Sequence, residues 1–295
     1  MKKFVLYCKS FRNDVLRVKR LAESIEQFNH EKIPFYVSTP SSDRMLFQEK
    51  LAGLSVIFIN DEEIIQANPA LNQEKIDALP GKISQQIVKS EFWRLGISDS
   101  YLCIDSDCVF IRPFSENEFI APEGHPYTVM HEAKELLQFA INHDMERICD
   151  NYHKERQQIM EIFGRTGHHY DYGPPPLLWS RQVWSALDEQ FLKPQNMNFY
   201  DAIVLFPSEI VWYGEAMLKY RPIPLTPVEP YFRFYHYERQ FMAMKQQGET
   251  LERLARNYSG VCYQSSWERN FDFDQKPLLS RFARWVRHRI FRRYN

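Results

Sequence analysis

Strands and helices alternate along the first 60 residues of this 295-residue chain. Apolar strands are predicted over residues 3–8, 33–38 and 55–59, with an amphipathic helix over 14–28 and a shorter helix near 43–51 between them. Consecutive strands joined by helices run parallel, because each helix returns the chain to the same end of the sheet. The sequence therefore predicts an α/β fold, with a Rossmann-type parallel sheet and helices on both faces.

Polar segments follow each predicted strand. They are residues 10–14, 39–42, 60–62 and 105–107. In open parallel sheets, ligands bind beyond the carboxyl ends of the strands. Four separated loops are thus expected to meet at one rim and form a binding site.

The strongest chemical signal at this rim is Asp105-Ser106-Asp107, which lies between the apolar runs 101–104 and 108–111. A buried, unpaired carboxylate is costly, so both acids are expected to meet positive charge where the strand emerges. Hard oxygen ligands favour Mg2+ or Mn2+, which leave positions open for phosphate oxygens. Asp272-Phe273-Asp274 has the same spelling, but its polar flanks indicate a loop.

The remaining elements leave several assignments open. In a helix over 82–95, Gln86 and Lys89 could contact nucleotide and phosphate or form a solvated surface. Residues 132–166 predict a charged helical insertion, and the following loop, with His168, His169 and Asp171, is interpreted as acceptor-binding rather than metal-binding. A strand over 177–180 comes next, followed by a helix within 206–217. Ser208 would cap this helix and Glu209 would lie in its first turn, and simple helix capping is the alternative to a functional role for both residues.

Composition limits the partners and the compartment. With 37 Lys and Arg against 38 Asp and Glu, no net positive field attracts nucleic acid. The five cysteines form no C-x-x-C pair and predict a reducing, cytoplasmic environment. The charged start is followed by too short an apolar run for a signal peptide, and no run is long enough to span a membrane.

Residues 276–295 contain seven Lys or Arg and no acid, with apolar residues recurring at helical spacing. This pattern predicts a basic amphipathic C-terminal helix, which either binds an anionic membrane surface or packs on the protein's own core. The expected organisation is one catalytic domain over 1–275, with a donor half of about 1–125 and an acceptor half of about 126–275, followed by the tail.

The strand that ends in Asp105 and Asp107, the preceding helix with Gln86 and Lys89, and the alternating amino-terminal half resemble the GT-A glycosyltransferases. A second pattern, Ser-Glu-x-x-x-Tyr-Gly from Ser208 to Gly214, is similar to bacterial GT-A-like proteins of unassigned function. The resemblance implies a GT-A fold and transfer of a sugar from a nucleotide-diphosphate donor to an acceptor hydroxyl.

The same resemblance implies roles for individual residues. Asp105 and Asp107 would hold Mn2+ or Mg2+ at the diphosphate, and His236 would complete the coordination unless it is an ordinary core or surface histidine. Contacts to the base and ribose are expected from the residues that follow the first and third strands. These are Ser10, Arg12, Asp14 and Asp61.

Stereochemistry and acceptor stay open at this stage. Inverting transfer needs a carboxylate base, for which Glu209 is the first choice and Asp171 the second, whereas retaining transfer needs none and leaves Glu209 to orient the acceptor. A bacterial surface glycan or a lipid-linked acceptor, such as one used for capsule or lipopolysaccharide, would suit a basic tail at the inner membrane face. Rival functions are nucleotidyl transfer, metal-dependent hydrolysis, and silent binding of nucleotide sugars within a membrane assembly.

Overall fold

The structure, a computed structural model, describes residues 2–273 of the chain. The predicted basic helix of residues 276–295 lies outside this part. Within it, none of the helices combines the length and the apolar character that crossing a membrane requires.

The strands of the described part form three sheets. They are β1 (Lys2–Lys9), β2 (Phe35–Thr39), β3 (Val56–Asn60), β4 (Ser98–Cys103), β5 (Cys108–Phe110), β6 (Thr128–Val129), β7 (Leu177–Ser180), β8 (Pro227–Val228), β9 (Phe232–Tyr235) and β10 (Gly260–Tyr263).

The α-helices of the same part connect and cover these sheets. They are α1 (Val15–Phe28), α2 (Arg44–Lys50), α3 (Asp61–Gln66), α4 (Gln73–Asp77), α5 (Gly81–Glu91), α6 (Lys134–Ile141), α7 (Glu146–Phe163), α8 (Arg181–Leu187), α9 (Phe199–Leu205), α10 (Glu209–Tyr220), α11 (Glu238–Gln246) and α12 (Leu251–Leu254). The predicted helical insertion is confirmed as α6 and α7.

The central sheet has the strand order β3-β2-β1-β4-β7. Its first four strands are parallel, whereas β7 runs antiparallel to β4. From β1 the chain moves outward to β2 and β3, and then returns to place β4 on the other side of β1. This reversal opens a crevice at the carboxyl ends of β1 and β4, which is where open α/β sheets bind ligands.

Two hydrophobic clusters cover the two faces of the central sheet. Phe4, Leu6 and Cys8 of β1 join the cluster that contains the apolar side of α1, whereas Val5 and Tyr7 join the one that contains residues of α5, α8 and α10. This division follows from the two-residue period of a strand, which sends neighbouring side chains to opposite faces. The predicted α/β class with helices on both faces is confirmed.

The apolar runs on either side of the acidic pair belong to different sheets. The first is β4 of the central sheet, and the second is β5, which pairs antiparallel with β10 in a smaller sheet of order β5-β10-β9. Between them, Asp105–Asp107 forms a tight turn in which the Cys108 amide donates to the Asp105 carbonyl at 3.1 Å. The acids therefore lie where the chain leaves one sheet for another.

Two residues of the Ser-Glu-x-x-x-Tyr-Gly pattern, Tyr213 and Gly214, contact the elements that neighbour α10. The Tyr213 hydroxyl accepts a hydrogen bond of 2.7 Å from the Ser180 amide at the end of β7. Gly214 lies directly beneath the ring of Tyr172, in the loop before β7. Ser208 occupies the N-cap position, but its side chain accepts no capping hydrogen bond from the first turn of α10, so the capping interpretation of this serine is wrong.

We expect Gly214→Ala to destabilise the fold, because the added Cβ would lie 2.1–2.4 Å from ring carbons of Tyr172. Overpacking of this kind costs about 1–3 kcal/mol, which urea unfolding measures directly. Gly81→Ala at the start of α5 is the control, since its Cβ would meet no atom within 4 Å. Equal stability of the two variants would contradict the proposed role of Gly214 in packing.

Candidate functional site

A cavity of about 1830 Å3 opens at the carboxyl ends of β1 and β4. Its wall includes Ser10 and Asp14 after β1, Asp61 after β3, and the Asp105–Asp107 turn after β4. Residues from the second half of the chain, among them His236 and most of the segment 264–273, close the other side. The structure therefore confirms that the loops after the predicted strands meet at one rim of the sheet.

Lys89 lies between two carboxylates, behind the part of the cavity wall that Asp105 forms. Its Nζ is 2.6 Å from Asp105 Oδ1 and 3.3 Å from Glu209 Oε1, and only 4% of the residue is exposed. Burial alone would lower the pKa of Lys89, but Asp105 and Glu209 outweigh burial and raise it well above its usual value. The ammonium is thus fully charged, and the interpretation of Lys89 as part of a solvated helix surface is wrong.

Gln86 belongs to the same group of residues. Its side-chain carbonyl accepts a hydrogen bond of 3.2 Å from the Glu209 amide, which is one of the free N–H groups at the start of α10. Gln86 and Lys89, one turn apart on α5, therefore fix the position of Glu209. Burial raises the pKa of Glu209 against the opposing influence of Lys89.

Asp107 is held by neutral donors. The Cys262 thiol donates to Asp107 Oδ1 at 3.1 Å, and the Ser265 amide donates to Oδ2 at 2.7 Å. Burial and the nearby Asp105 raise the pKa of Asp107 to about 6. Each carboxylate oxygen keeps a second lone pair, so both oxygens can still accept a ligand.

Within the described residues, the buried and half-buried aspartates of the cavity wall have cationic partners, except Asp107. Asp61 pairs with Lys9 at 2.7 Å, and Asp14 pairs with Arg17 at 2.6 Å. Within residues 2–273, Asp107 makes no ion pair with any lysine, arginine or histidine. The Asp105–Asp107 turn is therefore the part of the cavity wall where a further cation would offset buried negative charge.

Asp107, Cys108 and Cys262 place potential ligand atoms within 4.8 Å of one another, a cluster that His236 and Asp105 do not join. Burial raises the pKa of both cysteine thiols, so they stay protonated at neutral pH, whereas a metal binds the thiolate. The donor set that remains consists of carboxylate oxygens, which suits a hard cation such as Mg2+ or Mn2+.

At the carboxyl ends of β1, β2 and β3, three buried side-chain oxygens have no hydrogen-bond partner within the described part of the chain. They are Ser10 Oγ, Thr39 Oγ1 and Asp61 Oδ1, which follow or end β1, β2 and β3. An unpaired buried polar atom costs free energy unless a ligand or water satisfies it. These atoms therefore mark a place for the hydroxyl or amide groups of a ligand.

Arg17 and Asp272 line the cavity, and the sequence interpretation did not place either of them there. The buried guanidinium of Arg17 bonds Asp14, Asp272 and the main-chain oxygen of Glu268, which ties segment 264–273 to α1. Residues around Asp272 do form a loop, as predicted, but the loop lines the cavity. The second Asp-x-Asp triplet, at residues 272–274, was the signal in the sequence that could have identified Asp272.

The remaining predicted site residues lie in different parts of the structure. His236 lines the cavity, and burial lowers its pKa to about 4, so its imidazole is neutral and able to bind a metal. Arg12 is exposed, and its amide donates to Asp43 Oδ2 at 2.8 Å. Asp171 pairs with Arg156 at 3.1 Å. The described lining of the cavity does not include five of the predicted site residues, which are Arg12, Gln86, Lys89, Asp171 and Glu209.

Three solved structures that are similar to this chain are glycosyltransferases. The bifunctional glycosyltransferase WbbM in its apo form matches with a TM-score of 0.50 and 8% identity, over 89% of this chain and 46% of that one. The galactosyltransferase LgtC, in complex with donor and acceptor sugar analogues, matches at 0.45 and 14%, over 88% and 86%. Mouse xyloside xylosyltransferase 1, also apo, matches at 0.47 and 10%, over 90% and 98%. The predicted GT-A glycosyltransferase fold is confirmed.

A family model described as "Family of unknown function (DUF6492)" matches residues 5–251. No curated protein is similar enough to the chain to count as a match.

We expect Lys89→Met to lower the free energy of unfolding by about 3–5 kcal/mol, because it leaves buried carboxylates without their cation. Urea unfolding measures the loss, and Lys82→Met, at an exposed lysine on the same helix, is the control. Adding Glu209→Gln to Lys89→Met should restore part of the stability, since one uncompensated charge disappears. Equal effects of Lys89→Met and Lys82→Met would contradict this account.

Proposed function

We propose that this chain, which belongs to the family of unknown function DUF6492, is a metal-dependent glycosyltransferase that uses a nucleotide-diphosphate sugar as donor. The observation that carries the proposal is the Asp105–Asp107 turn, which lies on the cavity wall at the crevice between β1 and β4. A hydroxyl of a glycan or of a lipid-linked carrier would be the acceptor.

Asp107 and Asp105 would hold Mn2+ or Mg2+. His236 lines the same cavity but lies outside the cluster of ligand atoms around Asp107, so its role as the third protein ligand stays a prediction. When bound, the cation would neutralise the negative charge that develops on the leaving diphosphate. The neutral imidazole of His236 and the lack of a cationic partner for Asp107 within residues 2–273 support this assignment.

The protein's own contribution is to fix the two carboxylates in advance. Lys89 holds one oxygen of Asp105, while Cys262 and Ser265 hold the two oxygens of Asp107. Ligands whose orientation is set by surrounding hydrogen bonds need little rearrangement when they bind.

The ends of β1, β2 and β3 are proposed to bind the nucleoside. Ser10 and Asp61 offer unpaired buried oxygens there, and Thr39 adds a third that the sequence interpretation did not include. Asp14 is already engaged by Arg17, and the Arg12 side chain points to solvent, so both are weaker candidates for donor contacts.

The assignment of Glu209 or Asp171 as a catalytic base stays a prediction. Both carboxylates are ion-paired, with Lys89 and Arg156 respectively, and both lie outside the described lining of the cavity. This arrangement supports retaining transfer, in which the protein supplies no base for the acceptor hydroxyl. Glu209 would then act through Lys89 to hold Asp105.

The test of the function is a thermal-shift panel of nucleotide-diphosphate sugars, each measured with Mn2+, with Mg2+ and with EDTA. A ligand that binds only the folded state raises the melting temperature, so one donor should do so in the presence of metal and lose the effect in EDTA. Asp107→Asn should remove the metal-dependent part, because it removes a charged ligand oxygen.

Asp77→Asn is the matched control, since Asp77 is an exposed carboxylate that lines the same cavity. A panel without any stabilising nucleotide sugar would refute the donor class. An unchanged metal effect in Asp107→Asn would refute the metal site. Exchange of the diphosphate bond without transfer of sugar would instead identify a nucleotidyltransferase.

The protein is proposed to work in the cytoplasm at the inner face of the membrane. All five cysteines are free, which suits a reducing compartment, and the basic pattern of residues 276–295 suits anionic lipid. Deletion of residues 277–295 should lower cosedimentation with phosphatidylglycerol vesicles but not with phosphatidylcholine vesicles. Equal binding before and after deletion would exclude the tail as a membrane anchor.

A further inference from the structure

A second cavity of about 690 Å3 adjoins the first, and we call it the side groove. It lies between α1, α11 and the segment that follows β10. Glu238, Trp267, Arg269 and Asn270 line both cavities, so the two share a wall. The volume falls within the range of about 300–1,000 Å3 that is usual for small-molecule sites.

Aromatic rings form one wall of the side groove. Phe241 stacks on Trp267 with ring centroids 5.5 Å apart, and Tyr263 meets Phe241 edge-on at 5.7 Å. The Trp267 indole N–H donates to the Tyr235 carbonyl at 2.9 Å, which fixes the ring and uses its only donor. Rigid, partly exposed rings of this kind offer flat apolar surface to a ligand.

Polar groups of both signs form the rest of the side groove. The Arg20 guanidinium is bound by both carboxylate oxygens of Glu268, each at 2.9 Å, and its central carbon lies 5.2 Å from the Tyr263 ring centroid. Glu23 and Gln27 project from the exposed side of α1. Three carboxylates line the side groove, those of Glu23, Glu238 and Glu268. Two guanidinium groups, those of Arg20 and Arg269, line it as well.

This combination fits a neutral carbohydrate. The C–H face of a pyranose ring packs on aromatic surface, while its hydroxyls donate to carboxylates and accept from guanidinium and amide groups. Three carboxylates against two guanidinium groups give the lining a net negative charge, which disfavours a phosphate or an acidic glycan. A lipid chain would remove water from these charged groups without replacing its hydrogen bonds.

We propose that the side groove binds neutral sugar residues of an acceptor oligosaccharide, beyond the residue that receives the transferred sugar. This rests on the proposed function, because the shared wall of Glu238, Trp267 and Asn270 would let one glycan chain reach from the side groove into the main cavity. The acceptor is accordingly an oligosaccharide rather than a single sugar or a bare lipid carrier.

The test uses full-length protein on an array of neutral linear oligosaccharides of increasing length, with sialylated oligosaccharides printed beside them. Binding should strengthen with chain length and should prefer neutral chains. Removal of Trp267 could unfold the small sheet, so the variant is Glu23→Ala with Met242→Ala, at two exposed residues that line only the side groove. Affinity should fall at least about fivefold, as expected for the loss of a hydrogen bond and an apolar contact.

The control is Glu26→Ala with Met45→Ala, which changes an exposed glutamate of α1 and an exposed methionine that lie outside the side groove. The metal-dependent thermal shift with nucleotide sugars should be the same in both double variants. That readout belongs to the main cavity, so its absence would refute the proposed function and not the side groove.

Three results would overturn the inference. The first is an array without oligosaccharide binding, or with binding of sialylated chains only. The second is an equal affinity of the two double variants. The third is oligosaccharide binding that occurs only after residues 274–295 are deleted, which would mean that the chain's own tail fills the side groove.

Discussion

The buried ammonium group of Lys89 connects segments that lie far apart in the sequence. Lys89 comes from α5, before the acidic turn, and its two partners are Asp105 at the end of β4 and Glu209 at the start of α10, 120 residues further along the chain than Lys89. An ammonium buried without partners would lose its proton, but two carboxylates keep Lys89 charged. The pairing therefore works in both directions, because Lys89 compensates the buried charge of Glu209 and the half-buried charge of Asp105, and both carboxylates compensate the charge of Lys89.

The same reasoning explains why the cavity is suited to a cation. Lys9, Arg17 and Lys89 each balance acids on or behind its wall, and Arg17 serves both Asp14 and Asp272. Asp107 alone among these cavity aspartates is held only by a thiol and an amide within residues 2–273. The protein thus orients this carboxylate without neutralising it, and burial together with the neighbouring Asp105 raises the pKa of Asp107 to about 6.

Local pattern was sufficient to predict the central sheet and the place of the acids. Strands β1 to β4 and helices α1 and α5 follow from two-residue and helical periodicities, and Asp105 and Asp107 could be placed at a strand end from their apolar flanks. The split between β4 and β5 was not predictable, because either sheet could accept the second apolar run. It depends on pairing with β10, whose Cys262 lies opposite Cys108.

Long-range partners were also beyond the sequence. Arg17 lies in a helix whose other buried residues are apolar, and its contacts with Glu268 and Asp272 are made across some 250 residues of chain. Nothing local to Lys89 distinguishes it from the exposed Lys82. Tyr213 and Gly214 belong to the Ser-Glu-x-x-x-Tyr-Gly pattern, but they contact Ser180 and Tyr172, so packing accounts for this part of the pattern.

The attachment of segment 264–273 to α1 has a consequence for protein synthesis. On the ribosome, β1 to β4 can form while most of the chain is still untranslated, since domains fold as their residues emerge. At that stage the Arg17 guanidinium still lacks Asp272 and Asp107 still lacks the Ser265 amide, because these partners have not yet been synthesised. A nascent polypeptide halted before these residues would contain β1 to β4 but would lack the cavity wall formed by residues 264–273. Assembly of this site is therefore coupled to near-complete translation of the described chain.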